Sequence, residues 1–285
     1  MSPSRSAATN DTNQTNGRTR LNDRGPHLKP ASNSAPADSF LRQTIVLIPA
    51  LNEAPCIGGT IRDWFALGAA CVRVVDNGST DDTARVAVQA GAEVLHESRR
   101  GYGAAAWRGL QDWPSDCAWV LFSSADGSDR LSAFESLAWQ GAVDSGADMV
   151  LGDRTALASG RSYLKPTQRL GNWLCCMVIS RVWGRRFRDM ASLRLLRHAA
   201  LDRMRLCDRA FGWNVEMQVR ALELGLRIVE LPVTYFPRRA GQSKISGSLT
   251  GTLRAGSAIL KMLFHLWRLR LGRPARMNEL AAQSN

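Results

Sequence analysis

The sequence has no uninterrupted apolar run that reaches the ~18 to 20 residues needed to span a bilayer. It also lacks an apolar signal region near its N-terminus. Its six cysteines show neither C-x-x-C spacing nor nearby paired histidines, which argues against a zinc site or a disulfide framework. We therefore expect a cytoplasmic chain, either soluble or peripheral on the inner face of a membrane, with its cysteines as small core residues.

Size and charge further limit the type of protein and the kind of partner it could bind. The chain has 285 residues, 45% of them hydrophobic, which suffices for a sizeable core. Its formal net charge of +12 favours an anionic partner: nucleic acid, anionic lipid or a phosphorylated small molecule. Nucleic acid is the least favoured, because the basic residues are not interleaved with aromatics in a recognisable module.

The composition predicts three segments. Residues 1–40 are rich in Ser, Asn, Thr and Pro with few large apolar side chains, which predicts a disordered tail. In residues 41–250 short β-branched runs alternate with helical patterns. This alternation predicts a single α/β domain with a mostly parallel sheet flanked by helices. Residues 251–285 predict an amphipathic helix and a basic tail.

The same patterns place the individual elements. Strands are predicted at Thr44–Ile48, Cys71–Asp76, Ala92–Glu97, Ala118–Ser123, Asp148–Gly152 and Arg227–Val233. Helices are predicted at Cys56–Leu67, Asp82–Ala90, Gly103–Gln111, Leu131–Ser145, Pro166–Val182, Trp213–Gly225 and Gly251–Arg270.

Polar clusters follow five of the predicted strands. They read PALNE, DNGSTDDT, SRRGYG, SADGSD and GDR, in chain order. Ligands of parallel sheets bind outside the carboxyl ends of the strands, so these clusters are candidates for one binding site.

Two of these clusters have a functional and a structural interpretation. Asp76 could accept hydrogen bonds from a nucleotide, or the stretch around it could be a strand, a tight turn and a helix cap. Arg99 and Arg100 could lie near phosphates or form a solvated basic turn. The glycines of SRRGYG match a dinucleotide fingerprint only loosely.

The cluster SADGSD suggests a cation site. Mg²⁺ is commonly held by one or two carboxylates, with substrate phosphates and water completing its shell. Asp126 is suited to this role, beside Gly127, which would let a diphosphate approach closely. Asp126 and Asp129 could instead form turns and caps, and Asp129 could cap the helix that starts near Leu131.

Together the clusters resemble glycosyltransferase family 2, with its Rossmann-like GT-A fold, and most closely its dolichyl-phosphate or polyprenyl-phosphate sugar transferases. The resemblance runs from about Thr44 to Lys261. It rests on the order and spacing of IPALNE, VVDNGSTDDT, RRGYGAAAWRG, SADGSD, GDR, RLGNWL, FRDMASLRLLR, GWNVEMQVRALELGLRIVELPVTY and RRAGQSK.

The resemblance implies a role for each matching residue. The nucleotide would be bound by Pro49, Asn52, Glu53, Asp76, Arg100 and Ser124. Mg²⁺ or Mn²⁺ would be bound by Asp126, with Ser128 at the place of a further ligand. Charge makes Arg154 and Arg194 candidates to neutralise the departing diphosphate, and Arg238, Ser243 and Lys244 candidates to bind phosphates or acceptor. Each basic residue alone could instead be a solvated surface charge.

Ser124 departs from the family pattern. The acidic motif usually reads D-x-D, but here it is Ser124-Ala125-Asp126, which leaves the cation site one negative charge short. Ser124 could instead contact ribose. This departure keeps open a second interpretation, a nucleotide-sugar binding protein without catalysis.

The acceptor is the other open question. A hydroxyl acceptor would need a base, for which Glu216 and Asp189 are candidates, although either could pair with an arginine as scaffold. A lipid phosphate is already ionised and needs little help. The apolar and basic segment from Gly251 suits an anionic membrane interface, which favours polyprenyl phosphate over a saccharide.

Overall fold

The computed structural model describes residues 39–241 and 249–271. The predicted tail therefore lies outside the described residues, apart from its last two. The strands are β1 Thr44–Ala50, β2 Cys71–Asp76, β3 Glu93–His96, β4 Trp119–Phe122, β5 Met149–Asp153, β6 Arg194–Arg197 and β7 Ile228–Pro232. The helices are α1 Ala54–Ala66, α2 Thr83–Gln89, α3 Tyr102–Gly109, α4 Ala133–Asp144, α5 Ala158–Tyr163, α6 Pro166–Trp183, α7 His198–Met204, α8 Trp213–Glu223 and α9 Leu249–Leu271.

The described strands form one seven-stranded sheet in the order β3-β2-β1-β4-β6-β5-β7. Neighbouring strands are parallel except at β6, which runs antiparallel to both β4 and β5. Val46 of β1 lies opposite Val72 of β2 on one side and Leu121 of β4 on the other. The prediction of a mostly parallel α/β sheet is confirmed, and the antiparallel strand β6 was not predicted.

The sheet has a hydrophobic core on each face, because successive side chains of a strand point to opposite sides. On β1, Val46 and Ile48 join the core formed with α1, α2 and α4, whereas Leu47 joins the core formed with α6, α8 and α9. On β4, Leu121 and Phe122 divide in the same way. Burial on both faces explains why these strands are continuous apolar runs.

The N-terminus of α4 and the packing of α9 test two of the sequence predictions. Helix α4 is capped by Ser132, whose hydroxyl accepts from the N–H of Glu135 while the Glu135 carboxylate accepts from the N–H of Ser132. The interpretation of Asp129 as the cap of this helix is therefore wrong. Helix α9 packs on α6 and α8 and buries Leu263 and Leu266. The predicted boundary at residue 250 stays a prediction.

Among the helices that the structure describes, none has the length and apolarity required to cross a bilayer.

Candidate active site

The first part of the site joins the loop after β1 to the turn after β2. Asn52 has a left-handed backbone, with φ of 52°. Its side-chain oxygen accepts from the N–H of Thr80 at 2.7 Å, and its own N–H donates to Ser79 Oγ at 2.9 Å. Asn tolerates this conformation better than most residues. The two motifs therefore form one connected unit, with Pro49 inside β1 opposite Val75.

Asp76 ends β2 and is 6% exposed. Its carboxylate accepts from the N–H of Ser79 at 3.0 Å, and its other oxygen lies 3.4 Å from Nδ1 of His96. The next residue, Asn77, donates to the carbonyls of Glu97 and Arg99. These bonds fix the loop after β3 beside the nucleotide-binding candidates.

Asp126 is the most connected carboxylate of the loop after β4. Its Oδ1 accepts from Ser124 Oγ at 2.9 Å, from Ser128 Oγ at 2.6 Å and from the N–H of Ser128 at 3.0 Å. Its Oδ2 accepts from Nη1 of Arg238 at 2.6 Å. Ser124 thus orients Asp126 by a hydrogen bond instead of adding a second negative charge.

The side-chain oxygens of this loop are suitable ligands for a divalent cation such as Mg²⁺ or Mn²⁺, because these ions prefer hard oxygen ligands. Among the described residues, no group of three or more His, Cys, Asp or Glu side chains is placed to hold a metal ion. Asp126 and the hydroxyl of Ser128 are therefore a minimal set, which suits an ion whose remaining ligands are diphosphate and water.

Arg238 lies after β7 and connects two of the predicted site residues. While Nη1 contacts Asp126, Nη2 contacts both carboxylate oxygens of Glu53 at 2.7 Å. Burial alone would lower the pKa of Arg238, but the carboxylates of Asp126 and Glu53 raise it. Arg238 therefore stays positively charged. It brings two acidic site candidates, Glu53 and Asp126, to one basic side chain.

Asp129 is a buried carboxylate whose contacts differ from those of the helix cap considered in the sequence analysis. Its Oδ2 accepts from Ser192 Oγ at 2.6 Å and from the N–H of Ser124 at 3.1 Å. Its backbone also forms an isolated bridge with Tyr235. Burial raises the pKa of Asp129. Asp129 therefore connects the loop after β4 to the segments before β6 and after β7.

Arg154 and Asp189 form a buried ion pair. The Asp189 carboxylate accepts from Nε, Nη2 and the backbone N–H of Arg154 at 2.7, 2.9 and 3.1 Å. Burial alone would raise the pKa of Asp189, but the facing charge and hydrogen bonds of Arg154 hold it below its usual range. Asn172 and Met190 donate to the same carboxylate. Asp189 is thus engaged on both oxygens.

Arg194 is fully buried. It contacts the carbonyl of Ala191 through Nε at 3.2 Å and also through Nη2, and Nη1 donates to the carbonyl of Asn214 at 3.1 Å. Burial lowers the pKa of Arg194 to about 10. The structure therefore places this predicted diphosphate ligand among backbone carbonyls.

Glu216 of α8 is 2% exposed, and its carboxylate accepts from the N–H groups of Cys207 and Asp208 at 2.8 to 3.1 Å. It lies in the wall of an open cavity of about 380 Å³. The cavity is lined by Arg99, Arg100, Cys207, Asp208, Arg209, Ala210, Glu216, Met262 and His265. Arg100 thus faces this cavity, which extends from the β3 loop to α9.

The remaining two predicted ligands, Ser243 and Lys244, lie outside the described residues.

The GT-A architecture is matched among solved structures. Glucosyl-3-phosphoglycerate synthase from Mycobacterium tuberculosis, in complex with Mn²⁺, UDP and glucosyl-3-phosphoglycerate, superposes with a TM-score of 0.61 at 18% identity, over 82% of this chain and 81% of that one. At this identity the likeness supports the fold alone.

Sequence comparison defines the family. The model for glycosyl transferase family 2 matches residues 45–211. An uncharacterised glycosyltransferase of Mycobacterium tuberculosis is 38% identical over 74% of this chain and 93% of its own length. An undecaprenyl-phosphate mannosyltransferase of Micrococcus luteus is 31% identical over 73% of this chain and 90% of its own length. The chain belongs to glycosyltransferase family 2, and the resemblance to its polyprenyl-phosphate branch is confirmed.

Proposed function

We propose that this protein is an inverting glycosyltransferase that moves a sugar from a nucleoside-diphosphate sugar to a polyprenyl phosphate, with Mg²⁺ or Mn²⁺ as cofactor. The observation that carries the proposal is that Arg238 contacts both Glu53 and Asp126 at the carboxyl ends of the strands. Beside them lie the hydrogen-bonded turns that contain Asn52 and Asp76. This arrangement offers oxygen ligands to a cation and a guanidinium to phosphate.

The donor side follows from these contacts. Asn52, Asp76 and the turn between them would bind base and ribose, and Asp126 with Ser128 would hold the cation. A bound cation neutralises the departing diphosphate. Arg238 would add a preorganised positive charge. Arg154 follows β5, the strand beside β7, and is oriented by Asp189. A structure that shares this fold was solved with UDP and Mn²⁺, which makes these two ligands the first to test.

The acceptor class is argued from the two candidate bases. Asp189 is held by Arg154, and Glu216 accepts two backbone N–H groups, so each carboxylate already has hydrogen-bond partners. A hydroxyl acceptor needs a base to remove its proton. A phosphate monoester, with a second pKa of about 6, is already largely ionised at neutral pH. This difference, together with the named mannosyltransferase relative, supports a lipid phosphate.

A membrane-facing surface would present such an acceptor. Helices α6 and α9 pack together and expose large apolar side chains. These side chains are Leu170, Trp173, Leu260, Phe264, Trp267, Leu269 and Leu271. Exposed Lys261, Arg268 and Arg270 accompany them. Apolar and basic side chains on one surface suit an anionic bilayer interface.

The test is sugar transfer by the purified protein with Mn²⁺ or Mg²⁺, using UDP- and GDP-linked sugars as donors. Polyprenyl phosphate is compared with saccharide acceptors, and Glu216→Gln is assayed beside the native protein. We expect product only with the lipid phosphate, little loss in Glu216→Gln, and inversion at the anomeric carbon. Transfer to saccharides with a large loss in Glu216→Gln would indicate a hydroxyl acceptor. Nucleotide binding without turnover would indicate a binding protein.

Membrane contact has its own test. Cosedimentation with vesicles containing anionic lipid is measured for the native protein and for a Trp173→Ser/Trp267→Ser variant. The matched control is Phe134→Ser, because Phe134 is exposed on α4, away from the proposed surface. We expect the double variant to lose vesicle binding and the control to keep it. Equal binding by all three proteins would contradict the proposed surface.

A further inference from the structure

Arg238 lies between two carboxylates, at a position that a divalent cation would also favour. Its Nη1 lies 2.6 Å from Asp126 Oδ2, and its Nη2 lies 2.7 Å from both oxygens of Glu53. The three side chains are 10 to 23% exposed. Because removing charges from water is unfavourable unless they are paired, neither carboxylate would be stable here without a positive neighbour.

The carboxylate geometry leaves one oxygen for that neighbour. Asp126 Oδ1 accepts three hydrogen bonds from Ser124 and Ser128, whereas Oδ2 accepts one from Arg238. A divalent cation bound by Asp126 would most readily use Oδ2. The guanidinium and the cation therefore compete for the same atom.

The backbone around Arg238 is held independently of its side chain. The N–H of Arg239 donates to the carbonyl of Asp126 at 3.0 Å, and Nη2 of Arg239 lies 2.5 Å from Asp63. Arg239 also packs against Gly127, where a Cβ atom would lie 2.8 Å from its Cδ. The Arg238 side chain can therefore leave Asp126 while the loop stays anchored.

The Arg238 guanidinium is incompletely satisfied where it lies. Its Nε is buried and has no hydrogen-bond partner among the described residues. A guanidinium binds phosphate oxygens in a fork that uses two parallel N–H groups. A donor diphosphate would therefore offer Arg238 better partners at the moment when a cation takes over Asp126.

We propose that Arg238 is an exchangeable internal counter-cation. In the donor-free protein it neutralises Glu53 and Asp126 and competes with the divalent cation for Asp126. When cation and donor bind together, Arg238 moves from the carboxylates to the diphosphate. This inference rests on the proposed function, because it takes the cation and the diphosphate from it.

The exchange has a quantitative consequence for cation binding. When a competent state is only partly populated, the apparent affinity falls by the populated fraction. If the guanidinium is on Asp126 about nine-tenths of the time, Mn²⁺ alone binds about tenfold more weakly than it would without Arg238. Removing Arg238 should thus strengthen cation binding and weaken diphosphate binding, two changes of opposite sign.

The experiment measures Mn²⁺ binding without nucleotide, by electron paramagnetic resonance of the free ion. It compares the native protein, Arg238→Ala and Arg239→Ala. Arg239→Ala is the matched control, since it removes the same charge from the adjacent residue, whose partner is Asp63 and not Asp126. UDP and GDP binding at saturating Mn²⁺ is then measured by calorimetry. Arg238→Lys serves as a milder variant, because an ammonium cannot form the same two-sided bridge.

We expect Arg238→Ala to bind Mn²⁺ about tenfold more tightly and nucleoside diphosphate more weakly, with Arg239→Ala near the native values and Arg238→Lys between them. Unchanged or weaker Mn²⁺ binding in both Arg238 variants would overturn the inference, as would an equal gain in Arg239→Ala. Sugar transfer by the native protein is assayed separately. A failed exchange is therefore distinguishable from a failed function.

Discussion

The Arg154–Asp189 pair and the Arg238 bridge are two arginine–carboxylate assemblies near the same edge of the sheet, and they differ in exposure. Arg154 and Asp189 are 10% and 0% exposed, whereas Arg238 is 23% exposed and divides its charge between Glu53 and Asp126. The first assembly is closed, with both Asp189 oxygens occupied. The second is reachable by a ligand. We therefore expect the first pair to support the site and the second to be rearranged by bound ligands.

The largest expected effect comes from opening the closed pair. Asp189→Asn leaves the Arg154 charge buried without its counterion, which should lower the free energy of unfolding by about 3–5 kcal/mol. Urea unfolding measures this loss. The matched control is Asp82→Asn, which breaks an arginine pair at the surface. An equal, small change in both variants would show that the buried Arg154–Asp189 pair stabilises the fold no more than the surface pair of Arg85 and Asp82 does.

A substitution in the more exposed assembly, the Arg238 bridge, should instead lower activity. Asp126→Asn keeps an acceptor for Ser128 but removes the charge that the cation needs, so sugar transfer should fall about 10²- to 10³-fold. Steady-state rates with saturating donor measure this effect. Asp63→Asn is the control, because the ion-pair partner of Asp63 among the described residues is Arg239 and not Arg238. A near-native rate in Asp126→Asn would contradict the assignment of the cation site.

The pH dependence of stability sharpens the contrast. The pKa of Asp189 is lowered in the folded state, so its contribution to stability is complete above the ordinary aspartate value of about 3.9. The contribution is lost as the pH falls through the lowered folded value, at no more than about 1.4 kcal/mol per pH unit. Urea unfolding at about pH 3 and about pH 6 should therefore show the Asp189→Asn defect shrinking in acid. A defect of constant size would refute this origin.

The smallest effect tests the missing charge. Ser124→Asp places a second carboxylate beside Asp126, 2.9 Å from its Oδ1 at the present hydroxyl position. Without a cation the two charges repel, so the variant should unfold at a lower temperature. The variant should bind Mn²⁺ about tenfold more tightly than the native protein does. The measurement is the rise in unfolding temperature on adding Mn²⁺, which should be larger for the variant. Ser123→Asp is unsuitable as a control because Ser123 is buried; Ser124→Asn matches the size without the charge.

Much of the fold was predictable because burial leaves a local signature. Strands β1, β2, β4 and β5 are β-branched or aromatic runs, and their ends were recognised by the polar clusters that follow. Strand β6 was missed because it is only four residues long and has an arginine at each end, Arg194 and Arg197, which leaves too few apolar residues for a recognisable pattern. Arg194 is nevertheless fully buried by the carbonyls around it, which no local pattern reveals.

The partners within the site were less predictable. Glu53 and Arg238 are separated by 185 positions, and Asp126 and Arg238 by 112. Sequence motifs identified these residues separately, but the contact depends on how the loop after β7 folds back over α1. Asp129 was misinterpreted as a cap because Asp is common at helix starts. Only the packing against Ser192 shows its role.

Gly127, which has φ of 74° and lies under Arg239, has a consequence for related proteins. Any side chain at position 127 would strain the backbone and collide with the arginine. Glycine at 127 and a long basic residue at 239 should therefore change together between homologues. Such covariation, read from an alignment without any assay, would reveal which relatives keep the loop folded over their nucleotide site.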